Sequence, residues 1–219
     1  LGDPADIGRI LLDYMCARIG IESLDGLDVL ELGCGVRFSQ AILNRHIPIS
    51  TYTGLEVSKD VVDFLKENVT DPRLSYHHID VSNRFYNPNG RKLGAYALLS
   101  MGGTGFDIAC MFSVITHQNP GEAAQTFRLL NHHVRSAGHL FFSAFIHEDS
   151  AEYKELDPER PGHKSSYSLA YLTGILAENG WAVVSVADPR PDGLPIMSSL
   201  HCIKSDAGRK AAAPNQTAP

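Results

Sequence analysis

Glu31-Leu32-Gly33-Cys34-Gly35 is the first place where residue types and spacing point to chemistry. Leu27 to Leu32 reads as a strand, so both glycines fall where that strand must turn into a helix. Glycine lets the main chain turn tightly and approach a ligand closely, and the following helix aims its first amides at a polar group. A plain strand–helix turn uses the same pattern. A dinucleotide fingerprint needs another glycine three positions after Gly35, where Phe38 stands, and no P-loop signature occurs.

Two acids extend the clue. Glu56 follows a second strand and Asp80 a third, and equivalent ends of parallel strands open on one crevice. There Glu56 can accept two hydrogen bonds from a ribose diol. Asp80 can accept one from an exocyclic adenine amine, with Val57 and Val81 offering apolar contact beside the ring. Each acid alone could equally be a solvated or capping residue. Together with the glycine turn they favour a shared nucleoside site.

The elements that must position these groups alternate. Ile7, Ile10, Leu11, Tyr14, Met15 and Ile19 recur at helical spacing, and Gly20 offers a stop. Strands are expected over 27–32, 50–55, 74–79, 106–112, 139–146, 181–186 and 199–203, the last two as an antiparallel pair. Ser58 can cap a helix whose apolar face is Val61, Val62 and Leu65. Asn119-Pro120-Gly121-Glu122 carries an Asn cap, Pro at N1 and Glu at N3, and Ser165 or Ser166 can start a last helix through Glu178. Residues 82–105 are irregular, with a short helix possible over 93–101, and form either a cover over a pocket or an ordered surface insertion. This alternation argues for one open α/β sheet covered by helices, a single domain over 1–204, and a disordered tail over 205–219.

The ordered set of signals resembles the class I S-adenosylmethionine-dependent methyltransferase family over roughly residues 5–204. Glu31-Leu32-Gly33-Cys34-Gly35 is similar to the family's first motif, Glu56 to its ribose-binding acid, and Asp80 to its adenine-contact acid. Phe106-Asp107-Ile108-Ala109-Cys110-Met111-Phe112-Ser113 resembles the fourth-strand segment below the methionine moiety, and Val134 to Leu140 the helix–strand passage after it. The resemblance implies a Rossmann-like methyltransferase domain with a mostly parallel seven-stranded sheet flanked by helices, and S-adenosyl-L-methionine as cofactor. It implies cofactor binding by Glu31, Gly33, Gly35, Glu56, Val57, Asp80, Val81 and Phe112. Many members carry another glycine two positions after Gly35, where this chain has Arg37.

Methyl transfer is a direct displacement, catalysed largely by holding donor and acceptor in line, and a hydroxyl acceptor also profits from a base. His117 follows Phe112-Ser113-Val114-Ile115-Thr116 at the fourth-strand exit, where it can act as catalytic base, position a substrate or simply pack. His147-Glu148-Asp149 can contact substrate, help hold a metal or sit in a solvated loop. His77-His78 and His132-His133 suit core or surface use, because adjacent residues diverge. His117 and Gln118 stand where an acidic pair would hold a divalent ion in related enzymes, so no required metal is expected. Tyr14 packs on the first helix or reaches the cofactor side, Cys34 is a small turn residue, and His201 and Cys202 belong to a late strand.

Composition narrows the partners. The chain has 219 residues, 43% hydrophobic, with 25 acidic against 19 basic side chains and a net charge of -6. A broad basic surface for nucleic acid therefore lacks support; Arg84, Arg91 and Lys92 give only a weak local patch. There is no apolar run of spanning length, Leu1-Gly2-Asp3-Pro4 lacks a secretory leader, and four scattered cysteines contain no CxxC pair, so a cytoplasmic location is expected. A small-molecule methyl acceptor is favoured, with Phe85, Tyr86, Tyr96, Met101 and Phe112 as wall candidates. O-methylation ranks first through His117. The alternatives are N-methylation of protein or nucleic acid and a noncatalytic S-adenosylmethionine-binding partner protein; oligomeric state stays open.

Overall fold

A computed structural model describes residues 2–83, 86–91, 105–160, 162–190 and 193–205. The expected helix over 93–101, the wall candidates Phe85, Tyr96 and Met101, the basic residues Arg84 and Lys92, and all of the expected tail beyond Ser205 lie outside them.

Helix α1 (Pro4–Ile19) starts where Asp3 accepts the Ala5 amide at 2.9 Å and stops at Gly20, whose φ of 86° reaches the left-handed region. The strands and helices then alternate as β1 (Asp28–Leu32), α2 (Arg37–Asn44), β2 (Thr51–Glu56), α3 (Lys59–Asn68), β3 (Leu74–His78), β4 (Phe106–Met111), α4 (Pro120–His133) and β5 (Val134–His147). After β6 (Tyr153–Glu155) and β7 (Ser165–Ser168) come α5 (Leu169–Glu178), β8 (Trp181–Ala187) and β9 (Ser198–Lys204). The full capping box that Asn119 and Glu122 predict is present on α4.

Seven strands form the main sheet in the order β3-β2-β1-β4-β5-β9-β8, parallel except for β9, which runs antiparallel to both neighbours. Strand order reverses between β1 and β4, and such a reversal opens a crevice beyond the carboxyl ends of the strands. Alternation along the strands feeds two cores. Val29, Tyr52, Ile108, Cys110 and Phe141 pack with the α1, α2 and α3 side, while Leu30, Leu55, Met111, Leu140 and Phe142 pack with α4 and α5.

Two boundaries differ from expectation. β5 begins at Val134, straight out of α4, because a register shift opposite Phe106/Ile108 and a left-handed Ala137 (φ 57°) keep the irregular 134–138 stretch in the sheet. The last helix is capped by Ser168 and not by Ser165 or Ser166, since Ser165–Ser168 is drawn into β7. β6 and β7 form an antiparallel hairpin, unforeseen in the sequence, whose β7 pairs with residues 145–147 of β5.

Candidate functional site

The glycine turn sits at the reversal point. Gly33 and Gly35 have φ of 71° and 46°, a region that side chains rarely adopt. A Cβ on Gly33 would lie 2.6 Å from Val114 Cγ2, so the β4 exit presses directly on the turn. At Gly35 a Cβ would meet nothing within 4 Å: this part of the turn borders open space. The Gly33 and Cys34 amides both donate to the Leu55 carbonyl, at 2.8 and 3.1 Å, tying the turn to the end of β2.

Glu56 is fixed beside that space. Its Oε2 accepts the Gly35 amide at 3.1 Å, and its Oε1 accepts Val57 and Ser58 amides at 2.8 and 3.1 Å. A carboxylate offers about four acceptor positions. Three are taken, which leaves about one, on Oε2, where the sequence reading expected two bonds from a diol. The residue keeps 9% of its surface exposed, at the mouth of the crevice.

Glu31 lies beneath the turn. It is only 4% exposed and accepts a hydrogen bond from the Tyr52 hydroxyl. Burial pushes its carboxyl well above the usual range, the Tyr52 bond opposes that, and nearby Glu56 adds to it. Cys34 is buried against Gly54, and burial pushes its thiol up, which keeps it a protonated packing residue. Arg37, where many relatives carry glycine, opens α2 with an exposed side chain, while Gly8 of α1 packs against its carbonyl. Phe38 is buried and meets Phe112 edge-on at 5.4 Å, so Phe112 is pinned between Phe38 and Phe141.

Asp80 stands at the β3 end of the same crevice, half-exposed. One oxygen accepts from Asn87 Nδ2 at 3.1 Å and the other lies 3.3 Å from Arg91 Nε, as residues 87–91 fold back on it. Val57 and Val81 are partly buried against the sheet core and carry apolar surface beside Glu56 and Asp80.

His117 ends a 3-10 turn (Ile115–His117) after β4. Ser113, at a left-handed φ of 62°, re-aims the chain there, and its amide donates to Ser143 Oγ at 2.9 Å. The β6–β7 hairpin closes over this turn: Tyr167 donates its hydroxyl to the Gln118 carbonyl at 2.6 Å. The His117 ring lies 5.9 Å from Tyr86 and 6.3 Å from His163, centre to centre. Burial lowers its pKa below the ordinary 6.5, while main-chain bonds to Gly162 and His163 oppose that. The imidazole is thus mainly neutral at pH 7, the form that accepts a proton.

Other sequence candidates lie elsewhere or are engaged. Tyr14 bonds Ser199 Oγ at 2.8 Å and packs edge-on to Phe141, on the β5–β9 side of the sheet. His147 bonds Ser166 Oγ at 2.9 Å and the Ala151 carbonyl at 2.8 Å, bracing the hairpin, and Asp149 pairs with Lys154. His201 meets His139 at 3.0 Å across β9 and β5, and His78 contacts the Val57 carbonyl at 3.2 Å. Among the described residues no group of three or more His, Cys, Asp or Glu side chains is placed to hold a metal ion. No helix among them is long and apolar enough to cross a membrane.

His163 and Asp157, 2.9 Å apart beside His117, escaped the sequence reading. The available signal was a hairpin pattern: Tyr153/Glu155 and Ser165/Tyr167 alternate on either side of Pro158 and Pro161-Gly162.

Comparison with known proteins matches residues 11–186 to the family described as "Methyltransferase domain". Malonyl-[acyl-carrier protein] O-methyltransferase 1 of Ilyobacter polytropus is 30% identical over 158 residues, covering 69% of this chain and 52% of its own. The chain thus spans about half the length of that curated relative. Among solved structures, an S-adenosylmethionine dependent methyltransferase from Mesorhizobium loti superposes with a TM-score of 0.61 at 16% identity, covering 88% of this chain and 98% of that one. The magnesium protoporphyrin IX methyltransferase of Synechocystis PCC 6803, solved with bound SAH, gives 0.59 at 18% identity, covering 92% and 83%. At these identities the two structures speak for the fold.

Proposed function

The chain belongs to the class I S-adenosylmethionine-dependent methyltransferase family, and from that premise we propose that it methylates a hydroxyl group of a small molecule, with S-adenosylmethionine as donor and residues 1–204 as the working domain. One observation carries the donor site: Glu56 is held by three main-chain amides at the rim of a glycine turn that borders open space. That arrangement fits a nucleoside. The Oε2 position of Glu56 receives a ribose hydroxyl, Asp80 the adenine amine, and Val57 and Val81 flank the ring. Gly33 and Gly35 let the main chain come close, Phe112 walls the methionine side, and Glu31 supports the turn from below through Tyr52.

When bound, S-adenosylmethionine supplies a methyl group made electrophilic by its sulfonium. His117 supplies the proton acceptor at the β4 exit, and its burial keeps the imidazole neutral for that task. Tyr86 and the β6–β7 hairpin flank the same spot and limit water there. The O-methyltransferase relative supports oxygen as the receiving atom. All four cysteines are free and buried, which suits the reducing conditions of a cytoplasmic enzyme.

The test is label transfer from methyl-labelled S-adenosylmethionine to matched small-molecule panels, one of hydroxyl and one of amine acceptors. The reading expects label in the hydroxyl panel and a kcat lower by about 10²–10⁴ in His117→Ala, with donor affinity kept. Label confined to amines, or a near-wild-type rate in the variant, would contradict it.

A further inference from the structure

We propose that Asp157 and His163, carried on the β6–β7 hairpin, form a carboxylate–imidazole pair that takes the acceptor proton onward from His117; this rests on the hydroxyl reading above. Asp157 Oδ2 lies 2.9 Å from His163 Nδ1 and also accepts from Arg160 Nε at 2.9 Å. The His163 ring is 6.3 Å from that of His117, centre to centre, at 44° between planes. That spacing is too long for a direct bond between ring nitrogens and fits proton passage through one water.

The hairpin holds the two rings in a fixed relation. Its main chain at Gly162 and His163 bonds to His117, and Glu155 accepts both the Gly162 amide at 2.7 Å and the Tyr153 hydroxyl at 2.6 Å. Tyr167 and His147 fasten the base of the hairpin to the Gln118 carbonyl and to Ser166 and Ala151. A loop cluster built only to stabilise the turn would not require its histidine to meet the ring at the β4 exit. Among the described residues, the titratable and charged groups placed around the pair are Tyr86 beside His117 at the β4 exit, and Tyr153, Glu155 and Arg160 within the hairpin.

The chemistry balances without a further reactant. The acceptor O–H bond breaks, its electron pair stays on oxygen to form the new bond to carbon, and the proton binds a His117 nitrogen. An N–H bond at His117 then breaks as its proton passes to a solvent water, and that water gives one of its own protons to His163 Nε2, because Nδ1–H donates to Asp157 and sets that tautomer. An imidazolium at 163 faces a carboxylate and has 37% of its side chain exposed, so the proton continues to solvent. His163 acts through His117 and is a positioning residue.

The experiment is ring ¹⁵N–¹H NMR of histidine-labelled full-length protein across the pH range, for wild type, His163→Gln and Asp157→Asn. Two results are expected. Neutral His163 carries its proton on Nδ1. The His117 midpoint rises in His163→Gln, by about 0.5–2 pH units for loss of a charge at this distance in an effective dielectric between about 80 and about 20; in Asp157→Asn, which removes a negative charge, it does not rise. An Nε2–H tautomer at His163, an unmoved His117 midpoint in folded His163→Gln, or a rise in folded Asp157→Asn would overturn the relay. The measurement uses neither donor nor acceptor, so its failure leaves the methyl-transfer reading standing, and failure of label transfer leaves this result intact.

Discussion

Glu56 and His117 place different demands on their surroundings. Glu56 must be fixed in place, and three main-chain amides do that without any other side chain. As the proposed base, His117 must be neutral before it takes a proton, and burial favours that form. The sign of its pH dependence follows. A base with a depressed pKa is competent throughout the neutral range and is lost on the acid side. With the acceptor that the label experiment returns, kcat/KM should be flat above pH 6.5 and fall below it, approaching tenfold per pH unit. A fall that begins above pH 7 would assign the titration to another group. The residue types were legible in the sequence; the number of bonds already made by Glu56 was not, because it depends on where the Gly35, Val57 and Ser58 amides meet in space.

Elements decide what single residues can do. In the β1–α2 turn, Gly33→Ala and Gly35→Ala should separate. Both meet a left-handed backbone cost of about 1–2 kcal/mol. Only the first also drives a methyl into Val114, adding about 1–3 kcal/mol of overpacking. Urea unfolding should therefore show the larger loss for Gly33→Ala, while Gly35→Ala loses donor affinity out of proportion to stability; equal stability losses would contradict the geometry. In the β5–β9 pair, burial, then His139, then Arg18 push His201 down to about 4 from the ordinary 6.5. The folded state refuses a proton that the unfolded chain binds between those values. The resulting stability is complete above about pH 6.5 and declines as pH falls toward 4, by up to about 1.4 kcal/mol per pH unit. Unfolding at pH 7 and pH 5 should show a steeper loss for wild type than for His201→Gln, and parallel losses would reject the account. Sequence signals served the elements unevenly. The α4 capping box and the Gly20 stop were readable because their chemistry is local. The hairpin was not, since β6 and β7 span three and four residues and depend on β5 and the Gln118 carbonyl for their place.

On the scale of the whole molecule, the strand order brings Gly33, Glu56, Asp80 and His117 to the carboxyl edge of one sheet from four separate stretches of chain. Alternating strand and helix periodicity made that order legible, and all seven strands of the main sheet fall close to their expected positions. The acceptor side was less legible. Its hairpin leaves only a short alternation on either side of Pro158 and Pro161-Gly162, and part of the irregular stretch after β3 lies outside the described residues. The glycine turn and Glu56 are the proposed S-adenosylmethionine site. Calorimetric titration of the wild type and Glu56→Ala with S-adenosylmethionine and S-adenosylhomocysteine, with NAD as comparison, tests it most directly. Saturable binding of the first two is expected, weakened by about 1–3 kcal/mol in Glu56→Ala; absence of binding to either by the folded protein, or unchanged affinity in the variant, would contradict that site.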